Sequence, residues 1–148
     1  MQNATFNFMT KAQTCDRSIA LEQIWDLDHW LSKLDRVKKI KIRSNSNDEQ
    51  LFELHFDAGR DQPDVVLVRR TSTENRITVD HLIPPPGIVS LSAAWWVTAD
   101  GPPTVYAHRK ITMKEGQATP DTLRNIQSIL NSNLAALIAP GQQQQEIA

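Results

Sequence analysis

The feature that most constrains this 148-residue chain is a change in its hydrophobic period. Between Val37 and Met113 apolar residues recur at every second position, in short runs broken by turn signals. From Leu123 to Ile138 they recur at helical spacing. Such a chain is expected to build an antiparallel sheet of short strands and then lay one helix over it. Val37–Ile42 opens the series. Leu51–Asp57 sets Phe52, Leu54 and Phe56 on one face, opposite Glu53, His55 and Asp57. Val65–Thr71 is apolar on both faces until it reaches Arg69 and Arg70. Arg76–Ile83 puts Ile77, Val79, His81 and Ile83 together. Val89–Thr98 puts Leu91, Ala93, Trp95 and Val97 opposite Ser90, Ser92, Ala94 and Trp96, and Thr104–Met113 follows. The turns fall at Ser44–Asp48, Ala58–Pro63, Ser72–Asn75, Pro84–Gly87 and Asp100–Pro103.

The flanks complete an α+β pattern. Thr5–Thr14 alternates, with Phe6 and Phe8 on one face, as a half-buried strand does. Ile19, Ile24, Leu27, Leu31 and Leu34 predict one or two short helices between Ser18 and Leu34, capped by Asp16 or Ser18. Thr119 caps the last helix, Pro120 suits its first turn, and Pro140-Gly141 is expected to stop it. Pro120 to Ile138 spans about 28 Å at 1.5 Å per residue, enough to cross a sheet. The reading is one domain over residues 1–141, followed by a disordered Gln-rich tail over residues 142–148.

Several classes of function are disfavoured. Lys plus Arg (16) balances Asp plus Glu (17), so the basic excess of a nucleic-acid-binding protein is missing. The single cysteine, Cys15, excludes an intramolecular disulfide and a multi-cysteine metal cluster. No histidine pair has metal-ligand spacing, no Gly-rich loop cradles a phosphate, and no Gly-x-Ser-x-Gly elbow presents a nucleophile. No run approaches the ~20 apolar residues that span a bilayer, and Met1–Thr14 alternates where a secretory signal would be solidly apolar. The expectation is a cytoplasmic protein without metal, cofactor, nucleic-acid partner or membrane, its oligomeric state open.

A curved sheet wrapped around one amphipathic helix encloses a space that is either packed core or a ligand cavity. The order of elements resembles the helix-grip fold of the START and birch-pollen-allergen superfamily, and within it the bacterial polyketide aromatase/cyclases. The resemblance runs from about Thr5 to Ile138. It rests on Ile24-Trp25-Asp26, Trp30, the Arg69-Arg70 pair, Arg76, His81, the Pro84–Gly87 turn, Trp95 and Asn133. It implies a cofactor-independent enzyme that folds a poly-β-ketone chain, delivered on an acyl carrier protein, and promotes aldol cyclisation and dehydration. The alternative is a non-catalytic carrier or sensor of a lipid, quinone or aromatic metabolite.

The candidate residues follow from face and resemblance together. Strand alternation allows one inward arginine: Val65 and Leu67 would carry Arg69 inward, Val66 and Val68 would carry Arg70. Spacing to His81 and to the family's cavity arginine favours Arg69. In the resulting expectation Arg69 stabilises an oxyanion and His81, on the apolar face with Val79, moves protons. Trp30, Leu67, Leu91, Ala93, Trp95 and Asn133 contact substrate. In the last strand, Val105, Ala107, Ile111 and Met113 would bring Arg109 inward, whereas the resemblance places His108 and Lys110 there, so Arg109 and Lys110 both stand as binding candidates.

Overall fold

The computed structural model describes residues 2–14, 17–98 and 103–147, and side chains within 2–14, 19–98 and 103–138. Cys15, the Asp16 cap and most of the Asp100–Pro103 turn lie outside the described residues. The strands are β1 (Asn3–Gln13), β2 (Val37–Asn45), β3 (Glu49–Phe56), β4 (Asp64–Thr73), β5 (Arg76–Ile83), β6 (Ile88–Val97) and β7 (Thr104–Lys114). The helices are α1 (Arg17–Trp25), α2 (Leu27–Lys33) and α3 (Pro120–Ile147). Every expected strand is present, and a short 3-10 turn at Glu115–Gln117 was not foreseen.

β2 to β7 form an antiparallel meander, and β1 joins it beside β7, giving the order β1-β7-β6-β5-β4-β3-β2. Pairing fixes which residues share a face. Gln50, Arg70, Val79, Ala93, Arg109 and Phe8 stand directly opposite one another along a row that crosses six strands. The inner face of the sheet therefore presents two arginines amid apolar neighbours.

The helical segment after β1 divides in two because Asp26 caps a new helix. Its carboxylate accepts from the Asp28 and His29 backbone N–H groups at 3.0 and 3.4 Å. α1 already begins at Arg17, so Ser18 lies inside that helix and is not its cap. Thr119 does cap α3, its Oγ1 accepting from the Thr122 N–H at 3.2 Å. The expected stop at Pro140-Gly141 is corrected: α3 continues to Ile147 and takes in the Gln142–Gln145 run. Gln is a good helix former, which favours continuation beyond the proline.

α3 spans two parts of the core, as its length implied. Leu123, Ile126 and Leu130 pack with Phe8, Ile111 and Met113, while Leu134 and Ile138 pack with Ala20, Ile24, Val97 and Val105. Leu134, Leu137 and Ile138 are all fully or nearly fully buried, and each such side chain contributes about 1.5–3 kcal/mol. Truncation after Thr119 is expected to abolish the cooperative thermal transition seen by circular dichroism. A truncated chain that still melts cooperatively would contradict this architecture.

Candidate functional site

The alternation of β4 decides which arginine enters the fold. Val66, Val68 and Arg70 are 1%, 3% and 0% exposed, whereas Val65 and Arg69 lie on the exposed face. The expectation of an inward Arg69 is therefore corrected to Arg70. The reason is register: β3 places Leu54 opposite Val66, Phe52 opposite Val68 and Gln50 opposite Arg70. Burying the aromatic face of β3 fixes the parity of β4, because a one-residue slip would exchange its faces. Leu67 follows Arg69 to the outer face and does not line the cavity.

Arg70 is fully engaged with the protein. Its Nε and Nη2 donate to Gln50 Oε1 at 2.9 and 2.7 Å, its Nη1 to the Ile24 carbonyl at 2.7 Å, and its Nη2 to the Trp25 carbonyl at 2.8 Å. Gln50 Nε2 donates to the same Trp25 carbonyl at 3.0 Å. Those carbonyls end α1, where the helix dipole is negative, so a buried cation is favoured there. The rings of Trp25 and Trp30 each lie 5.0 Å from the guanidinium carbon, with Phe52 at 5.4 Å and Trp95 at 5.9 Å. Burial lowers the pKa of Arg70 to about 9, which leaves it protonated at neutral pH. Trp30 Nε1 donates to the Ile24 carbonyl at 2.7 Å, and its ring meets Trp95 edge-on at 5.8 Å.

Between sheet and helices lies a cavity with two lobes. The inner lobe, about 150 Å³, is walled by Trp30, Phe52, Val68, Val79, Ala93 and Trp95, with Arg70, His81, Leu91, Arg109 and Asn133 completing it. The outer lobe, about 230 Å³, is lined by Leu34, Val37, Phe56 and Val66 and reaches Arg36, Pro85 and Ile129 near the surface. Trp30, Leu54, His81 and Asn133 border both lobes and form the waist between them.

Of the sequence-predicted residues, Trp30, His81, Leu91, Ala93, Trp95, Arg109 and Asn133 thus meet around one space. Lys110 does not: it is exposed. Buried Val105, Ala107, Ile111 and Met113 set the parity of β7, and the same parity carries Arg109 inward and Lys110 out. His108 also faces the other way and bonds Asn7 Oδ1 at 3.0 Å. Gln50 was the residue that sequence reasoning missed, and Arg70 was the alternative it ranked behind Arg69. The signal for Gln50 was its place two residues before Phe52, on the same face.

The polar groups in the cavity are unequally satisfied. Among the described residues, neither Arg109 nor Asn133 has a side-chain hydrogen bond, and the Arg109 guanidinium rests 5.0 Å from the centre of the Trp95 ring. Burial pushes the pKa of Arg109 down to about 10, still cationic at pH 7. The His81 Nδ1 is buried with no hydrogen-bond partner. Burial, and then the positive charge of Arg109, lower the pKa of His81 to about 4 against a smaller opposing effect of the Leu91 backbone. Its imidazole is therefore neutral at physiological pH. Among the described residues no three His, Cys, Asp or Glu side chains converge as a metal site would require, and no helix is long and apolar enough to cross a membrane.

This architecture, a seven-stranded antiparallel sheet closed by a C-terminal helix, is the helix-grip fold. The chain is similar to the Zhui aromatase/cyclase from Streptomyces sp. R1128, with a TM-score of 0.73 and 17% identity over 97% of this chain and 96% of that one. It is similar to the di-domain ARO/CYC StfQ of the steffimycin biosynthetic pathway, with a TM-score of 0.81 and 15% identity over 96% of this chain and 52% of that one. A START superfamily protein from Mycobacterium smegmatis matches with a TM-score of 0.67 and 13% identity over 96% and 98% of the two chains. No protein-family model and no curated protein matches by sequence. The fold is shared at identities too low to transfer a function.

Two outcomes are expected from the site. Arg70→Ala leaves Gln50 Oε1 without a donor, at about 1–3 kcal/mol for an unsatisfied buried group, and takes one of the two donors from each of the Ile24 and Trp25 carbonyls. Urea denaturation should show a loss of roughly 2–4 kcal/mol for Arg70→Ala, and within about 0.5 kcal/mol of wild type for exposed Arg69→Ala. Equal effects would contradict the register.

The second concerns pH. The unfolded imidazole takes its proton near pH 6.5 and folded His81 only near pH 4. Stability from a neutral His81 is therefore present above about 6.5 and is lost as pH falls toward 4, because the unfolded chain binds the extra proton. Carbon-bound proton shifts of His81 in a pH titration should move only near pH 4. A midpoint near 6.5 would show the ring to be solvated.

Proposed function

We propose that this protein is a cofactor-independent polyketide cyclase/aromatase that folds a poly-β-ketone chain in its cavity and promotes aldol closure and dehydration. The observation that carries this reading is Arg109. It is a cation drawn into an apolar cavity, with no carboxylate or hydrogen-bond partner among the described residues, beside the unpartnered Nδ1 of His81. A guanidinium kept in that condition is suited to an oxygen that gains negative charge during reaction. The likeness of the fold to aromatase/cyclases supports the same class of chemistry.

The substrate arrives on an acyl carrier protein and coils against the aromatic walls, which bring a methylene flanked by two carbonyls close to a third carbonyl carbon. The neutral His81 takes up a methylene proton, giving an enolate whose oxygen faces Arg109. The enolate carbon attacks, a carbon–carbon bond forms, and the electron pair of the carbonyl becomes an alkoxide. Protonation of that alkoxide and loss of water with a neighbouring proton yield the unsaturated ring. His81 acts on protons only once substrate is present. Burial is the main cause of the low His81 pKa and the Arg109 charge the second, so enolate charge developing beside Arg109 offsets only the second as the proton moves, and the imidazolium then returns that proton to the alkoxide.

The low pKa of His81 in the empty cavity also favours a second reading, a carrier of a hydrophobic ligand, since such an imidazole is a weak base. Product analysis of the purified protein reconstituted with a polyketide synthase separates the two. Arg109→Ala is expected to lower cyclised product ~10²–10³-fold, as removal of a preorganised oxyanion donor does, with an unchanged or higher melting temperature. Wild-type protein that binds but never alters the product spectrum would establish the carrier.

A further inference from the structure

The two lobes differ in size and chemistry, and the difference bears on which molecule fits. The inner lobe holds about 150 Å³, and an apolar protein cavity of about that volume accepts a single benzene ring. Its walls include Trp30, Trp95 and Ala93, and its polar edge includes Arg109 and His81. A second fused ring would have to extend through the waist. The outer lobe, about 230 Å³, has an aliphatic and aromatic lining that includes Leu34, Val37, Phe56 and Val66, and its polar side chains, His81 and Asn133 at the waist and Arg36 at the mouth, lie at its two ends.

We infer that the ligand of this cavity is a single oxygenated six-membered ring bearing a saturated or weakly polar chain: ring in the inner lobe with its oxygen toward Arg109, chain in the outer lobe. This inference rests on the cyclase reading for the identity of the ring as a product, but its ligand geometry stands without turnover. For a cyclase it means that the ring closes at the deep end of the substrate. The unreacted part of the chain then lies past the waist, toward Arg36, and products are alkylphenol-like monocycles in preference to fused polycycles. The waist residues His81 and Asn133 meet the junction of ring and chain, where unspent hydrogen-bonding capacity suits a carbonyl or hydroxyl next to the ring.

The test is isothermal titration calorimetry of the full chain with 4-methyl-, 4-propyl- and 4-pentylphenol, with toluene as the ring lacking an oxygen and 2-naphthol as the fused pair. Affinity is expected to rise up to about fourfold per added methylene, the yield of burying one such group, and toluene is expected to bind at least tenfold more weakly than 4-methylphenol. Val66→Trp narrows the outer lobe and should collapse the ratio of 4-pentylphenol to 4-methylphenol affinity toward one. 2-Naphthol is expected to bind wild-type protein more weakly than 4-propylphenol, because its rigid second ring must occupy the waist between the lobes, and equal or tighter binding of 2-naphthol overturns the preference for a single ring. A flat alkylphenol series in wild-type protein, or failure of every phenol to bind, overturns the inference even if the variant does not fold. Failure of the series alongside an Arg109-dependent cyclisation would leave the cyclase standing with a different ring. A rising series without any cyclisation would leave the ligand geometry standing and make the protein a carrier.

Discussion

The interaction on which the rest of the structure depends is the engagement of Arg70 with the end of α1. A buried guanidinium needs acceptors, and here they are backbone carbonyls of Ile24 and Trp25 together with Gln50, with no carboxylate involved. That choice anchors the first helix to the middle of the sheet. Trp30 shares the Ile24 carbonyl, so the same few bonds hold the aromatic wall that α2 contributes to the cavity. Helix position, cavity wall and sheet register are thereby tied to one side chain.

The second arginine of the same transverse row has the opposite circumstances. Arg109 lies opposite Ala93, and Ala93 lies opposite Val79, which in turn faces Arg70 across the β4–β5 pair. Small side chains in the middle of the row leave the inner lobe open. No helix terminus reaches Arg109, so its charge is met chiefly by the face of Trp95. One arginine thus serves the fold, and the other keeps its hydrogen-bonding capacity unspent among the described residues. The contrast arises because the last carbonyls of α1 accept hydrogen bonds from Arg70, whereas among the described residues no carbonyl accepts one from the Arg109 side chain.

His81 depends on that second arginine. Its neutrality follows from burial and from the nearby cation, so the electrostatics of the cavity respond to whatever anion enters. A cavity with mostly apolar walls discriminates by shape and by a few polar groups, and here those groups include Arg109, His81 and Asn133.

The element order, the antiparallel meander and the long covering helix were legible in the sequence, because hydrophobic period is a local property of the backbone geometry. The inward positions of His81, Leu91, Ala93 and Trp95 were legible for the same reason, since each sits in a strand with one plainly apolar face. Leu67, Arg69 and Lys110 were misplaced where that signal fails. β4 is apolar on both faces, so its parity is decided by β3, through the burial of Phe52 and Leu54 opposite Val68 and Val66. In β7 the resemblance pointed to one face and the apolar residues to the other, and burial of Val105 and Ile111 settled it for Arg109. The sequence by itself determined which segments are strands and helices, and most of the residues able to carry chemistry. Only the tertiary structure decided which arginine is spent on the fold and which keeps its donors unspent, because that depends on where a helix terminus comes to rest, and no local pattern encodes a contact between residues 46 positions apart.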